Sequence, residues 1–198
     1  MNLNASTWRW VSTLLLLSLA TLVLGTAAGN QGWQAWWQYP ADAVVQQIVW
    51  DIRLPRSLGA WLGGALLGLA GALAQGLFRN PLADPFVLGS ASGASVGVSV
   101  FLSVTGGGAL TGWLSLGLTG AAFLGAVLAV LLTLVLARGA EQTLRLLLAG
   151  VVVGVVLGAI TSLLSLWQPQ VLLAMQGFML GSSAFMNVQG CLLLAAVL

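Results

Sequence analysis

The chain has 198 residues, 59% hydrophobic and 5% charged, with net charge +2, no histidine and a single cysteine. A soluble domain of this size needs far more charge to cover its surface, so the composition indicates an all-α polytopic membrane protein. The six arginines are scattered and no lysine is present, which excludes a basic patch for nucleic acid. Without histidine, Ser–His catalysis and His-ligated metals are excluded, and Cys191 has no companion for a disulfide or metal site. No catalytic residue, metal or cofactor is expected.

The first apolar run covers residues 11–28, behind Trp8, Arg9 and Trp10. Thr26-Ala27-Ala28-Gly29 resembles a signal-peptide cleavage site, but the weakly basic start and flanking tryptophans favour an uncleaved, interface-anchored span. Residues 29–52 are the longest polar segment, and Trp33, Trp36, Trp37 and Tyr39 suit a loop on the headgroup layer. A second run, 55–78, begins at Pro55, which a first helical turn tolerates. The third begins near Phe86 and reaches 104, before the flexible turn Thr105-Gly106-Gly107-Gly108. The fourth covers 113–136 and is broken by residues 137–143; the fifth covers 144–167 and ends at Gln168-Pro169. A short amphipathic stretch, 171–179, precedes Gly181-Ser182-Ser183, and a sixth run has only begun by residue 198. The expectation is about five complete transmembrane helices and the start of a sixth. They are expected to form one transmembrane domain over 1–198, incomplete at its C-terminus.

Arginine sets the orientation. With a cytoplasmic amino terminus, Arg9, Arg79, Arg138 and Arg145 fall inside and only Arg53 and Arg56 outside, as the positive-inside rule prefers. Every charged residue is expected at or beyond the end of a span. That speaks against an ATP-independent secondary transporter or channel, which places ionisable groups within its spans.

Between the second and third runs lies a polar island, Arg79-Asn80-Pro81-Leu82-Ala83-Asp84-Pro85. Two prolines and two Asx residues require a helix break at a membrane face. Glycines recur four apart at Gly59 and Gly63, and at Gly64 and Gly68. They do so again at Gly89, Gly93 and Gly97, and at Gly150, Gly154 and Gly158. Such spacing lets helix backbones approach closely. Gly93-Ala94-Ser95-Val96-Gly97 satisfies the serine-hydrolase pattern G-x-S-x-G but lacks a histidine base. Ser90, Ser92, Ser95 and Ser99 are therefore expected to bond backbone carbonyls or neighbouring helices. No P-loop exists, so the chain does not hydrolyse ATP itself. Arg53-Leu54-Pro55-Arg56 sets two guanidiniums on roughly one helical face. They suit either headgroup anchoring or pairing with carboxylates of a docking protein.

The string from Ile52 to Gly97 closely resembles the permease subunits of bacterial ABC importers for iron–siderophore complexes, haem and cobalamin. It carries their R-x-P-R helix start, then G-A-x-x-Q and R-N-P-L-A-D-P-x-x-L-G-x-x-x-G-A. Arg145-Leu146-Leu147-Leu148-Ala149-Gly150 and the segment Met175 to Gly181 also match the family, so the resemblance covers essentially the whole chain. The resemblance implies a multi-pass subunit of about ten helices in the bacterial cytoplasmic (inner) membrane. Its expected partners are a second permease subunit (in a homo- or heterodimer), cytoplasmic ATP-binding subunits, an extracytoplasmic substrate-binding protein and the lipid bilayer. Transport would be by alternating access. Arg53 and Arg56 match the arginines that receive the binding protein's acidic residues. Asn80 and Leu82 match one element of the cytoplasmic gate, and Thr143 and Leu144 the other, although Leu144 is apolar where some relatives are polar. The fifth run matches the helix that lines the pathway. The family continues for roughly another hundred residues, which would carry the segment that grips the ATPase.

Overall fold

The computed structural model describes residues 5–29, 32–33, 36–38, 42–106, 113–137, 143–183 and 186–198; the side chains of residues 5, 38, 113–115 and 143 lie outside this description. Among the described residues, four helical segments are long and apolar enough to cross a membrane: Ser6–Ala27, Ala43–Phe78, Leu116–Leu136 and Leu144–Trp167. Three shorter apolar helices accompany them, Ser90–Thr105, Pro169–Leu180 and Val188–Val197. The protein is an all-α polytopic membrane protein.

Helix α1 (Ala5–Ala27) begins earlier than the apolar run and takes in Trp8, Arg9 and Trp10. No breaker interrupts these residues, and the hydroxyls of Ser12 and Thr13 both donate to the Arg9 carbonyl, at 2.9 and 2.7 Å. A two-residue antiparallel pair follows, β1 (Ala28–Gly29) with β2 (Gly32–Trp33), Ala28 lying opposite Trp33. Trp36 donates its indole N–H to the Thr26 hydroxyl at 3.1 Å and meets Trp37 and Trp50 edge-on.

The segment before Pro55 differs most from expectation. Asp42 caps α2 (Ala43–Ile48) by accepting the amide protons of Val44 and Val45. The chain then continues through a π turn, Val49–Arg53, into α3 (Leu54–Phe78) without a break. Pro55 is therefore not in the opening turn of the helical segment. A proline inside a helix lacks an N–H and crowds the carbonyl four residues back. The wider turn accommodates this, since the Leu54 amide bonds to Val49 five residues back. Asp51, Arg53 and Arg56 consequently fall in the first part of a continuous helical segment, Ala43–Phe78, which at 36 residues is longer than a single crossing needs.

Beyond lie α4 (Ser90–Thr105), α5 (Trp113–Leu136), α6 (Thr143–Trp167), α7 (Pro169–Leu180) and α8 (Val188–Val197). Pro169 occupies the first turn of α7, where its missing N–H is no loss. Asn187 caps α8 by accepting the Gly190 amide proton at 2.8 Å. The third apolar run becomes helical only at Ser90, not at Phe86, because Gly89 adopts the left-handed conformation at φ +81°. Parts of the expected breaks at 105–108 and 137–143 lie outside the described residues, as do Tyr39 and Pro40.

The chain divides into two compact units, Met1–Leu69 with Ser183–Leu198, and Ala70–Ser182. In the first, Gly25 of α1 meets Ser57 of α3, and Gly59 lies against the Met186 side chain. The buried Cys191 thiol donates to the Pro55 carbonyl at 3.2 Å, so it is a packed core group. In the second unit, Val98 and Leu102 of α4 form a buried cluster with Val171 and Met175 of α7. Those pairs repeat at four-residue intervals, one helical face against another.

Candidate functional site

The polar island folds into a cap and two consecutive turns. Arg79 takes the left-handed conformation at φ +48°. Its amide donates to Gly76 at 3.4 Å while the Asn80 amide donates to Gln75 at 3.1 Å. This is a Schellman cap, which satisfies carbonyls at the end of α3. It puts arginine where glycine is usual, at a cost of about 1 kcal/mol or more. The Asn80 side chain then accepts the Leu82 amide proton at 2.9 Å, and the Asp84 side chain accepts that of Phe86 at 2.7 Å. Each Asx thus spans its following proline, Pro81 or Pro85, and the two turns repeat at a four-residue interval. Ala83 closes the first turn onto the Asn80 carbonyl at 3.1 Å, and Val87 the second onto that of Asp84 at 3.2 Å. Leu82 projects from the first turn and is 88% exposed.

The descending part of this loop is held by two other helices. The hydroxyl of Thr133, fully buried on α5, donates to the Leu88 carbonyl at 2.9 Å. Gly150 of α6 lies so close to the Val87 carbonyl that no side chain fits there, and Gly89 sits beside Val153 and the backbone of Gly150 and Gly154. Gly154 also faces the Ser92 hydroxyl. Non-helical backbone at a span's end is tolerated where protein groups satisfy its carbonyls, and Thr133 does so for Leu88. Neither Thr133 nor the carbonyl it serves is evident in sequence. The only signal is a lone hydroxyl within the apolar residues 130–136.

The glycines separate into two kinds. Gly93 and Gly97 of α4 lie on the backbone of α5, where a methyl on either would collide with the carbonyl of Gly125 or Ala121. Gly125 returns the contact against Gly93 and Gly97, although its four-residue neighbours are Ala121 and Ala129 rather than glycines. Around Gly63, Gly64, Gly68 and Gly158 no described atom would meet an added methyl. Ser95 bonds the Ala91 carbonyl at 3.0 Å, whereas the buried Ser99 hydroxyl has no hydrogen-bond partner among the described residues.

Arg53 and Arg56 line a cavity of about 910 Å³ within the first unit, with Thr21, Gly25, Ile52 and Ser57. Arg53 is half-buried and donates to the Thr26 carbonyl at 3.4 Å, helping to close the end of α1. Its guanidinium lies against Gly29, where an added side chain would have to displace it. Arg56, one turn further along α3, is exposed. Thr143 opens α6, with its side chain outside the described set, and the adjacent Leu144 is exposed.

A helical membrane chain with this tandem-turn loop has close counterparts. Residues 13–198 match the FecCD transport family, and the chain belongs to that family. It is 44% identical over 155 residues to the vitamin B12 import system permease protein BtuC of Klebsiella pneumoniae, a match covering 77% of this chain and 44% of that protein. BtuC of Citrobacter koseri is 44% identical over 154 residues, covering 76% and 44%. A solved structure described as an inward-facing conformation of a metal-chelate type ABC transporter superposes with a TM-score of 0.77 at 28% identity. That superposition covers 93% of this chain and 56% of the solved one. The chain thus spans about half the length of the proteins it matches.

Proposed function

We propose that the chain acts as a non-enzymatic permease domain of an ABC importer in the bacterial cytoplasmic membrane, its amino terminus on the cytoplasmic side. It moves a metal chelate inward by alternating access. Cobalamin is the first candidate and iron–siderophore or haem complexes are the rivals. The observation that carries this reading is the combination of FecCD family membership with the specific Arg79–Pro85 loop. The BtuC names at 44% identity favour cobalamin within the class.

In this reading the permease pairs with a second permease subunit, two cytoplasmic ATP-binding subunits and an extracytoplasmic binding protein. The edge bearing Arg53 and Arg56 receives carboxylates of the binding protein, for which a guanidinium fork is suited. Asn80 and Leu82 form one element of the cytoplasmic gate and Thr143 with Leu144 the other. The 88% exposure of Leu82 supports this, since a gate needs an apolar group free to meet its counterpart. The chain's work is charge pairing, close packing and steric closure.

The test is uptake by the complete permease with its ATPase and binding protein in proteoliposomes. Labelled cobalamin and a labelled ferric siderophore would be supplied separately. ATP-dependent accumulation of cobalamin alone is the expected result. Accumulation of the siderophore alone would change the substrate, and accumulation of neither would remove the metal-chelate reading.

A further inference from the structure

We infer that Thr133 is a positioning residue for Leu82, and that α5 and α6, rather than α4, set where the loop after α3 presents its tip. The inference rests on the gate reading above and names what controls that gate element.

The loop has two attachments. At its start the Schellman cap ties Arg79 and Asn80 to the last turn of α3. At its end three contacts converge on residues 87–89: the Thr133 hydroxyl on the Leu88 carbonyl, Gly150 against the Val87 carbonyl, and Val153 beside Gly89. Between these attachments, residues 80–87 are held by their own side chains and backbone, through the Asn80 and Asp84 Asx turns and their closing bonds. Turns of this kind with proline inside them have little freedom, so the loop behaves as one stiff piece. Its orientation then depends on its ends.

Helix α4 is tied to the loop through Gly89, whose carbonyl accepts the Gly93 amide proton at 2.9 Å, a hold that does not by itself fix the turn before it. The left-handed Gly89 breaks the backbone trajectory between the turn and Ser90. What holds the turn is the hydroxyl of one helix and the bare backbone of another. The Leu88 carbonyl is partly buried, and its donor comes from a fully buried hydroxyl, so losing that donor costs stability and lets the turn shift towards another. Thr133 is therefore coupled to Leu82 through the loop, although Thr133 is fully buried and Leu82 is exposed.

The experiment uses the complete permease with its ATPase subunits in inside-out vesicles, with Cys191→Ser and either Leu82→Cys or Leu144→Cys as reporter. Maleimide labelling rates are read with and without ATP. Thr133→Val, which keeps the shape and removes the donor, should change the rate or its ATP response about five-fold at position 82, the effect of one lost buried hydrogen bond. Position 144 should keep its parental behaviour, and Thr133→Ser should restore position 82. Gly150→Ala pushes on the same turn from α6 and should also shift position 82, which keeps the test open if Thr133→Val fails to accumulate. If position 82 is unmoved in both variants, or if positions 82 and 144 change alike, the inference is overturned. If position 82 in the parent is never reached from the cytoplasmic side, the gate reading fails first and takes the inference with it.

Discussion

Two glycine-rich regions of this chain look alike in sequence and are packed in opposite ways. On α3, Gly63, Gly64 and Gly68 face open space among the described residues, close in sequence to the cavity-lining Arg53 and Arg56. On α4, Gly93 and Gly97 lie directly on the backbone of α5 at Gly125 and Ala121. The same small-residue spacing therefore marks a surface left open in one region and a backbone contact in the other. The spacing permits close approach; only a partner helix makes use of it. The closed region also carries the clamp on residues 87–89, whereas the open one offers an exposed guanidinium.

The hardest blow to the closed region is Gly125→Val. Its side chain would enter backbone that cannot step aside, at a cost of about 3 kcal/mol, read as a fall in thermal unfolding temperature in detergent. A loss below about 1 kcal/mol would mean the two helices are not in backbone contact. In the open region the largest effect should fall on the proposed partner. Reversing Arg53 and Arg56 together to Glu should weaken binding-protein docking about a hundred-fold at low salt and less at high salt. Unchanged affinity in a titration would remove these residues from the docking edge. Of the two single changes, Arg53→Glu should also lower thermal stability, because Arg53 donates to the end of α1.

A subtler probe of the clamp is Thr133→Val, expected to cost about 1 kcal/mol through the orphaned Leu88 carbonyl, while Thr133→Ser stays close to the parent. Equal stability of both variants would mean the carbonyl finds another donor. The smallest effect belongs to the open glycines. In this chain, Gly63→Ala and Gly64→Ala should be neutral or stabilise by up to about 1 kcal/mol, since alanine is the better helix former and nothing is in its way. Marked destabilisation would reveal a helix surface covering that face.

Much of the fold is legible in the sequence. Five apolar runs became helices, and the Arg79–Pro85 island became the break its prolines required, because these features depend on local chemistry and on the length of a span. The boundaries that moved did so for identifiable reasons. Helix α1 took in Trp8–Trp10 because aromatic and charged residues do not stop a helix. The segment before Pro55 became helical because a π turn absorbed the proline. The third helix started late because Gly89 left the helical region of backbone space and three groups from α5 and α6 held it there.

By itself the sequence determined the solvent this chain lives in, the approximate spans, the turn chemistry of the loop and, through one specific string, its family. Tertiary structure decided which glycines touch a neighbouring backbone, which carbonyl a lone threonine serves, and which arginine is half-buried. The division follows from range. Hydropathy, proline and Asx turns act over a few residues and are written in order along the chain. Thr133 and Leu88 are 45 residues apart, and their meeting exists only once the helices have packed.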